Sequence, residues 1–83
     1  MDKGKKLSLT NACRNGIYRI VGFQAQDVAD RRLVDLGFVD GTEIEVLGKA
    51  VFKTTLAVKI RNSTICIRRA QADRIFVEKV KNL

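Results

Sequence analysis

The most regular pattern of apolar and polar residues lies near the middle of the chain and predicts a short helix. Ala29, Leu33 and Leu36 stand at i, i+4 and i+7, so they would share one face of such a helix. Gly37 follows the last of them, at the place where helices commonly end in a residue with positive φ. We therefore expect a helix over about Asp27–Leu36, with its first residue as the N-cap and Leu36 anchoring it on the core.

Alternation of apolar and polar residues predicts strands on both sides of this helix. The expected strands cover Ile17–Phe23, Thr42–Leu47 and Arg74–Lys79. Leu7–Thr10 is a candidate for an edge strand or for a lid over one end of the barrel. A single helical turn is expected at Arg69–Asp73, just before the last strand. In that strand the inward residues would be Ile75 and Val77.

The clearest pair of strands flanks Asn62-Ser63, where we expect a two-residue turn. In that register Ile60 lies opposite Ile65. The next inward pair is then Val58 and Ile67, so the turn and the hydrophobic pattern favour the same register. Because five or six strands this short each bury little surface, the sequence predicts a mainly β fold. We expect a sheet curled into a small barrel, with one short helix inserted after the first long strand.

Length and hydropathy limit the organisation of the chain to one small domain. The 83 residues suffice for a single core. No apolar run approaches the roughly 20 residues that a membrane span requires, and the charged start lacks a signal-peptide h-region. We therefore expect a cytoplasmic protein without a membrane span. Residues 1–6 would be a disordered basic start, 7–80 the domain, and 81–83 a tail.

The side-chain inventory argues against catalysis and against a tight metal site. The chain has no histidine, which is the commonest metal ligand and general base. Cys13 and Cys66 are far apart in sequence and form no Cys-x-x-Cys motif. The carboxylates of the helix and turn could hold Mg²⁺ or Fe²⁺ weakly through oxygen, or could serve only as caps and solvated side chains. We expect no enzyme activity and no cofactor.

Charge is distributed unevenly along the sequence. The net charge is +7, yet Asp27–Glu45 contains six acids and two arginines, a local net of −4. The remaining residues carry 14 basic and three acidic side chains, a net of +11. A polarised surface of this kind favours docking to a charged partner, although a solvated surface that keeps a small domain soluble would show the same charges.

A motif in the helix and the strand after it resembles a known family signature. From Arg31 the chain runs Arg-Arg-Leu-x-x-Leu-Gly-Phe-x-x-Gly-Thr-x-Ile-x-Val. This resembles the FeoA family, small cytoplasmic accessory proteins of bacterial ferrous-iron uptake. The resemblance continues more weakly through Ile65–Arg69 and Ala72–Val77, and covers roughly Leu7–Val80.

The resemblance implies a fold, a function and a partner. The implied fold is an SH3-like barrel with a helical insertion. The implied function is non-enzymatic binding and modulation of FeoB, a membrane transporter with a cytosolic GTP-binding domain. Transition-metal-ion binding is linked to the chain only through this family association. A weak homo-oligomer is compatible with this interpretation.

Seven residues are candidates for contact with such a partner: Arg31, Arg32, Asp35, Phe38, Phe52, Arg68 and Arg69. The two arginine pairs suit carboxylate or phosphate recognition because of their planar donors. The alternative for Arg32 is local pairing with Asp27 or Asp35 at helical spacing. Phe38 could instead pack under the turn, and Phe52 could anchor its basic loop.

Two other functions fit a small basic barrel. One is nucleic-acid binding, although the outward hairpin positions Lys59, Arg61 and Arg68 include no aromatic residue for base stacking, so we expect no specific nucleic acid. The other is a detached SH3-like domain of an iron-dependent repressor. For that function we would expect a DNA-binding helical region ahead of the barrel, and this sequence shows none.

Overall fold

The computed structural model describes residues 6–49 and 55–82 and confirms a mainly β fold with one short inserted helix. The strands are β1 (Lys6–Ser8), β2 (Gly16–Phe23), β3 (Glu43–Lys49), β4 (Thr55–Ile60), β5 (Ser63–Arg68) and β6 (Ile75–Asn82). The helices are α1 (Val28–Leu36) and α2 (Arg69–Ala72), and a 3₁₀ turn at Leu9–Asn11 follows β1. No helix in the two described ranges has the length and apolar character needed to cross a bilayer.

The strands form one antiparallel sheet in the order β1-β6-β2-β3-β4-β5. The pairing of β2 with β6 is irregular at two points, between Ile17 and Tyr18 and between Ile20 and Gly22. The pairing of β3 with β4 shifts before Gly48. Such bulges bend a strand and increase its twist. The bent sheet wraps one core, with β1 and β5 as its edges among the described strands.

The core collects the inward positions of five strands and closes against the helices. Its strand residues are Tyr18, Ile20, Ile44, Val46, Leu56, Val58, Ile60, Ile67, Ile75 and Val77. Leu9, Ala12, Leu33, Phe38 and Ala72 complete it from the helices and connections. The predicted inward side of the last strand is confirmed. That strand begins one residue later than expected and ends three residues later.

The turn of the β4–β5 hairpin differs from the prediction. Arg61 and Asn62 form it, both with positive φ (49° and 68°), and Ile60 therefore lies opposite Ser63 rather than Ile65. Positive φ at both central residues is typical of the type I′ turn, whose twist matches that of a hairpin. The shift moves the register by two residues, so every side chain keeps its predicted face. It also places Leu56 opposite a core isoleucine of β5.

Helix α1 ends where expected, but a different face is buried. The Asp27 carboxylate caps its start by accepting a hydrogen bond from the Asp30 amide (2.9 Å), and Gly37 ends it with φ 119°. However, Leu36 is 50% exposed, so it is not the anchor, while Leu33 and Asp30 are buried. The helix is rotated relative to the prediction, with the buried Asp30 turned inward to form an ion pair with Arg74.

Candidate docking surface on helix α1

The solvent side of α1 carries an apolar stripe interrupted by one arginine. Val28, Arg32 and Leu36 are spaced i, i+4 and i+8 and therefore lie along one line of the helix; we call them the outer stripe. Val28 is 70% exposed and Leu36 50%. Val39, just beyond the helix, is 40% exposed. Of the four large apolar side chains exposed in the described residues, three lie in this segment. This concentration marks a candidate contact surface.

Charged side chains accompany the outer stripe. Arg31, Arg32 and Asp35 are all exposed. Neither arginine forms an ion pair with a carboxylate in the described part of the chain, so the local pairing considered for them is not observed there. The exposed face of α1 thus offers both apolar and charged contacts.

The buried side of α1 is held by one carboxylate. Asp30 is 0% exposed, and Arg74 donates two hydrogen bonds to it, from Nε to Oδ2 (2.8 Å) and from Nη2 to Oδ1 (2.9 Å). The backbone amide of Gln26 donates a third to Oδ2 (2.8 Å). A two-pronged arginine–carboxylate contact fixes direction as well as distance. The start of α1 is therefore held against Arg74, directly before β6.

This geometry also sets the ionisation of the pair. The hydrogen bonds from Arg74 lower the pKa of Asp30 to about 2, more than offsetting the burial that would raise it. The amides of Gln26 and Gln71 lower that pKa further. In turn, the carboxylate raises the pKa of Arg74. Asp30 is therefore ionised throughout the physiological pH range.

A glutamine connects the same carboxylate to α2. The side-chain amide of Gln71 donates to Asp30 Oδ1 (3.4 Å), and its Oε1 accepts from the backbone amide of Arg68 (3.2 Å). Arg68 and Arg69, at the start of α2, are both exposed. We call Asp30, Gln71 and Arg74 the polar network. It joins α1 to residues 71–74, which lie more than 40 positions further along the chain.

The other end of α1 contacts the hairpin turn. A Cβ built at Gly37 would lie 3.1 Å from both Cζ and Nε of Arg61. The backbone conformation there is already in the left-handed region that favours glycine. The arginine places a positive charge at the carboxyl end of the helix, where a cation is stabilising.

Five of the seven candidate contact residues are exposed: Arg31, Arg32, Asp35, Arg68 and Arg69. Phe38 is 0% exposed and belongs to the core, which favours its alternative role of packing under the turn. Phe52 lies outside the described residues. The sequence reasoning missed the outer stripe's apolar residues, because the helical periodicity placed Leu36 inward.

The sequence reasoning also missed the polar network. The sequence shows an acid within the helix, Asp30, and an arginine next to the last strand, Arg74. Nothing in the sequence indicates that these two side chains form an ion pair. In the described ranges, no group of three or more His, Cys, Asp or Glu side chains could hold a metal ion. Cys13 and Cys66 are exposed free thiols.

Comparisons with known proteins agree with this architecture. Among solved structures, a FeoA-like protein from Clostridium acetobutylicum is 26% identical with a TM-score of 0.82, over 95% of this chain and 92% of that one. Iron(II) transport protein A from Clostridium thermocellum is 32% identical with a TM-score of 0.81, over 89% of this chain and 46% of that one. A manganese-dependent transcriptional repressor is 16% identical with a TM-score of 0.80, over 94% of this chain and 44% of that one. This likeness shows a shared fold alone.

Comparison with curated proteins gives no match. The profile of the FeoA domain, however, matches residues 7–79. Because this match spans almost the whole chain, and because FeoA proteins share its fold, the chain belongs to the FeoA family, whose domain implies a role in ferrous iron transport.

Proposed function

We propose that the protein is a non-enzymatic, cytoplasmic accessory module that binds and modulates a FeoB-like transporter, and that it docks through the exposed side of α1. Family membership supports a role in ferrous iron transport. The observation that supports the docking face is the outer stripe, in which Val28 and Leu36 are 70% and 50% exposed on either side of Arg32.

The outer stripe is hard to explain by folding alone. Leu33, on the other side of α1, already packs in the core, and the two ends of the helix are capped by Asp27 and Gly37. Val28 therefore stays in water although burial of such a side chain would be favourable by about 1.5–3 kcal/mol. A partner that covers the stripe would gain this energy.

Arg32 is the residue of the stripe best suited to determine specificity. Arginine is enriched among the residues that contribute most to protein interfaces, especially when apolar neighbours exclude water around it. Its aliphatic stem can extend the apolar surface while its guanidinium binds a carboxylate. The exposed Arg31 and Asp35 beside it add charges that would restrict the orientation of the partner.

The test is a titration of the protein with the cytosolic domain of the FeoB-like transporter from the same organism. Arg32→Glu should weaken binding at least about tenfold, which corresponds to about 1.4 kcal/mol, and should leave the unfolding midpoint nearly unchanged because the position is exposed. Lys59→Glu, on the exposed side of β4, is the matched control and should bind like the wild type. If Lys59→Glu abolishes binding and Arg32→Glu does not, the hairpin is the contact face and the proposal is wrong.

A further inference from the structure

We propose that the junction of β5 and α2 contributes Arg68 and Arg69 to the same docking surface as α1, and that the polar network acts as a positioning element that sets how the two arginine pairs are presented. This inference rests on the proposed function and deepens it. It also specifies the partner: a protein surface that is acidic around an apolar centre.

The first step is the connectivity of Asp30. Its carboxylate accepts hydrogen bonds from the linker before α1 (Gln26), from α2 (Gln71) and from Arg74, directly before β6. The linker makes a further contact with the same arginine, from the Gln24 amide to the carbonyl of Arg74 (3.0 Å). Because all three segments meet at one carboxylate, α1 cannot shift relative to α2 without breaking charged hydrogen bonds.

The second step is the link from the polar network to the arginines. Gln71 uses both ends of its amide, one toward Asp30 and one toward the backbone of Arg68. Arg31 follows Asp30 directly in α1. Each arginine pair is thus linked to the network through the backbone. Arg68 donates its own amide to Gln71, and Arg31 is the chain neighbour of Asp30. The relative position of the two pairs therefore depends on two hydrogen bonds of Gln71, a part-buried one to Asp30 and an exposed one from the Arg68 amide.

The third step is the chemistry that such a surface would recognise. Four exposed arginines, Arg31, Arg32, Arg68 and Arg69, lie within three positions of a polar-network residue in the sequence, and none of them is in an ion pair within residues 6–49 and 55–82. Their planar donors match carboxylates. The outer stripe adds apolar area that a nucleic-acid backbone would not cover. Together these features favour an acidic protein surface with an apolar centre.

The positioning role can be tested without the partner. In Gln71→Leu the side-chain volume is similar but both amide hydrogen bonds are lost, while the contact between Asp30 and Arg74 can persist. We expect at least a fivefold faster hydrogen exchange at the hydrogen-bonded amides of α1, with β2 and β6 unchanged. Unchanged exchange in α1 would show that Gln71 does not hold the helix, and would overturn the positioning role.

The shared surface is tested by titration with the cytosolic domain of the FeoB-like transporter. Arg69→Glu and Gln71→Leu should each weaken binding at least fivefold, although Gln71 itself is not expected to touch the partner; Lys59→Glu is again the control. If Arg32→Glu weakens binding and Arg69→Glu does not, α2 lies outside the interface and only this inference fails. If the wild type does not bind the domain at all, the proposed function fails as well. If the wild type binds a mixed-sequence oligonucleotide and both Arg32→Glu and Arg69→Glu lose that binding, the proposal of an acidic protein partner is wrong.

Discussion

Replacement of Asp30 by asparagine tests how α1 is held on the sheet. The change keeps the shape of the side chain but removes its charge, so that an amide NH₂ replaces one of the oxygens that accept from Arg74. Breaking a fully buried ion pair typically costs about 3–5 kcal/mol. Here the Arg74 side chain is 21% exposed and can regain water, so the cost should fall below that range.

The pKa of Asp30 yields an independent magnitude. It is lowered from 3.8 to about 2 in the folded state, which corresponds to about 2 kcal/mol of stability at neutral pH. Because the folded pKa lies below the unfolded one, this contribution is complete above about pH 4 and is lost as the pH falls towards about 2. We therefore expect Asp30→Asn to lower the free energy of unfolding by about 2 kcal/mol at pH 7, and by much less near pH 2.

Urea denaturation at a series of pH values measures both effects. Asp35→Asn is the matched control, because Asp35 is exposed on the same helix and should change stability by about 0.5 kcal/mol or less. The reasoning is wrong if Asp30→Asn lowers the free energy of unfolding by less than about 0.5 kcal/mol at pH 7. It is also wrong if the difference in unfolding free energy between wild type and variant grows as the pH falls.

Three further predictions concern the core, the end of α1 and metal binding. Leu33→Ala should cost about 2–5 kcal/mol in urea denaturation, whereas Leu36→Ala, at a half-exposed position, should cost about 1 kcal/mol or less; equal losses would contradict the observed orientation of the helix. Gly37→Ala should lower the unfolding free energy by at least about 1 kcal/mol, because its φ of 119° is unfavourable for alanine and the added Cβ meets Arg61; an unchanged midpoint would argue against this conformation. Anaerobic calorimetry should show no tight one-to-one Fe²⁺ complex, since the chain has no histidine, and a low-micromolar complex would overturn this.

Local signals in the sequence were sufficient for the ends of α1 and for most strands. Asp27 and Gly37 act through their own backbone conformation and nearest neighbours, so their residue types alone predicted the caps. The inward side of β6 followed from alternation, because Ile75 and Val77 stand two positions apart and Glu78 follows on the other face.

Features that depend on distant contacts could not be predicted in this way. The buried face of α1 depends on Asp30 and Arg74, which are 44 positions apart, and a carboxylate without a visible partner is normally placed on the surface. The hairpin turn was misplaced because a shift of two residues keeps every side chain on its face, so the hydrophobic pattern cannot distinguish the two registers. The candidate site is therefore partly predictable: the exposed arginines are evident from the sequence, whereas Val28 and Leu36 become candidates only once the orientation of α1 is known.

The central claim, that the protein docks through the exposed side of α1, is tested most directly by mapping the contact on the protein itself. We suggest following the backbone and methyl resonances of isotope-labelled protein during a titration with the cytosolic domain of the FeoB-like transporter. The account predicts that the largest changes occur at Val28, Arg32 and Leu36, while Lys59 and the outer face of β4 change little. Changes confined to the β4–β5 hairpin, with the resonances of α1 unaffected, would contradict it.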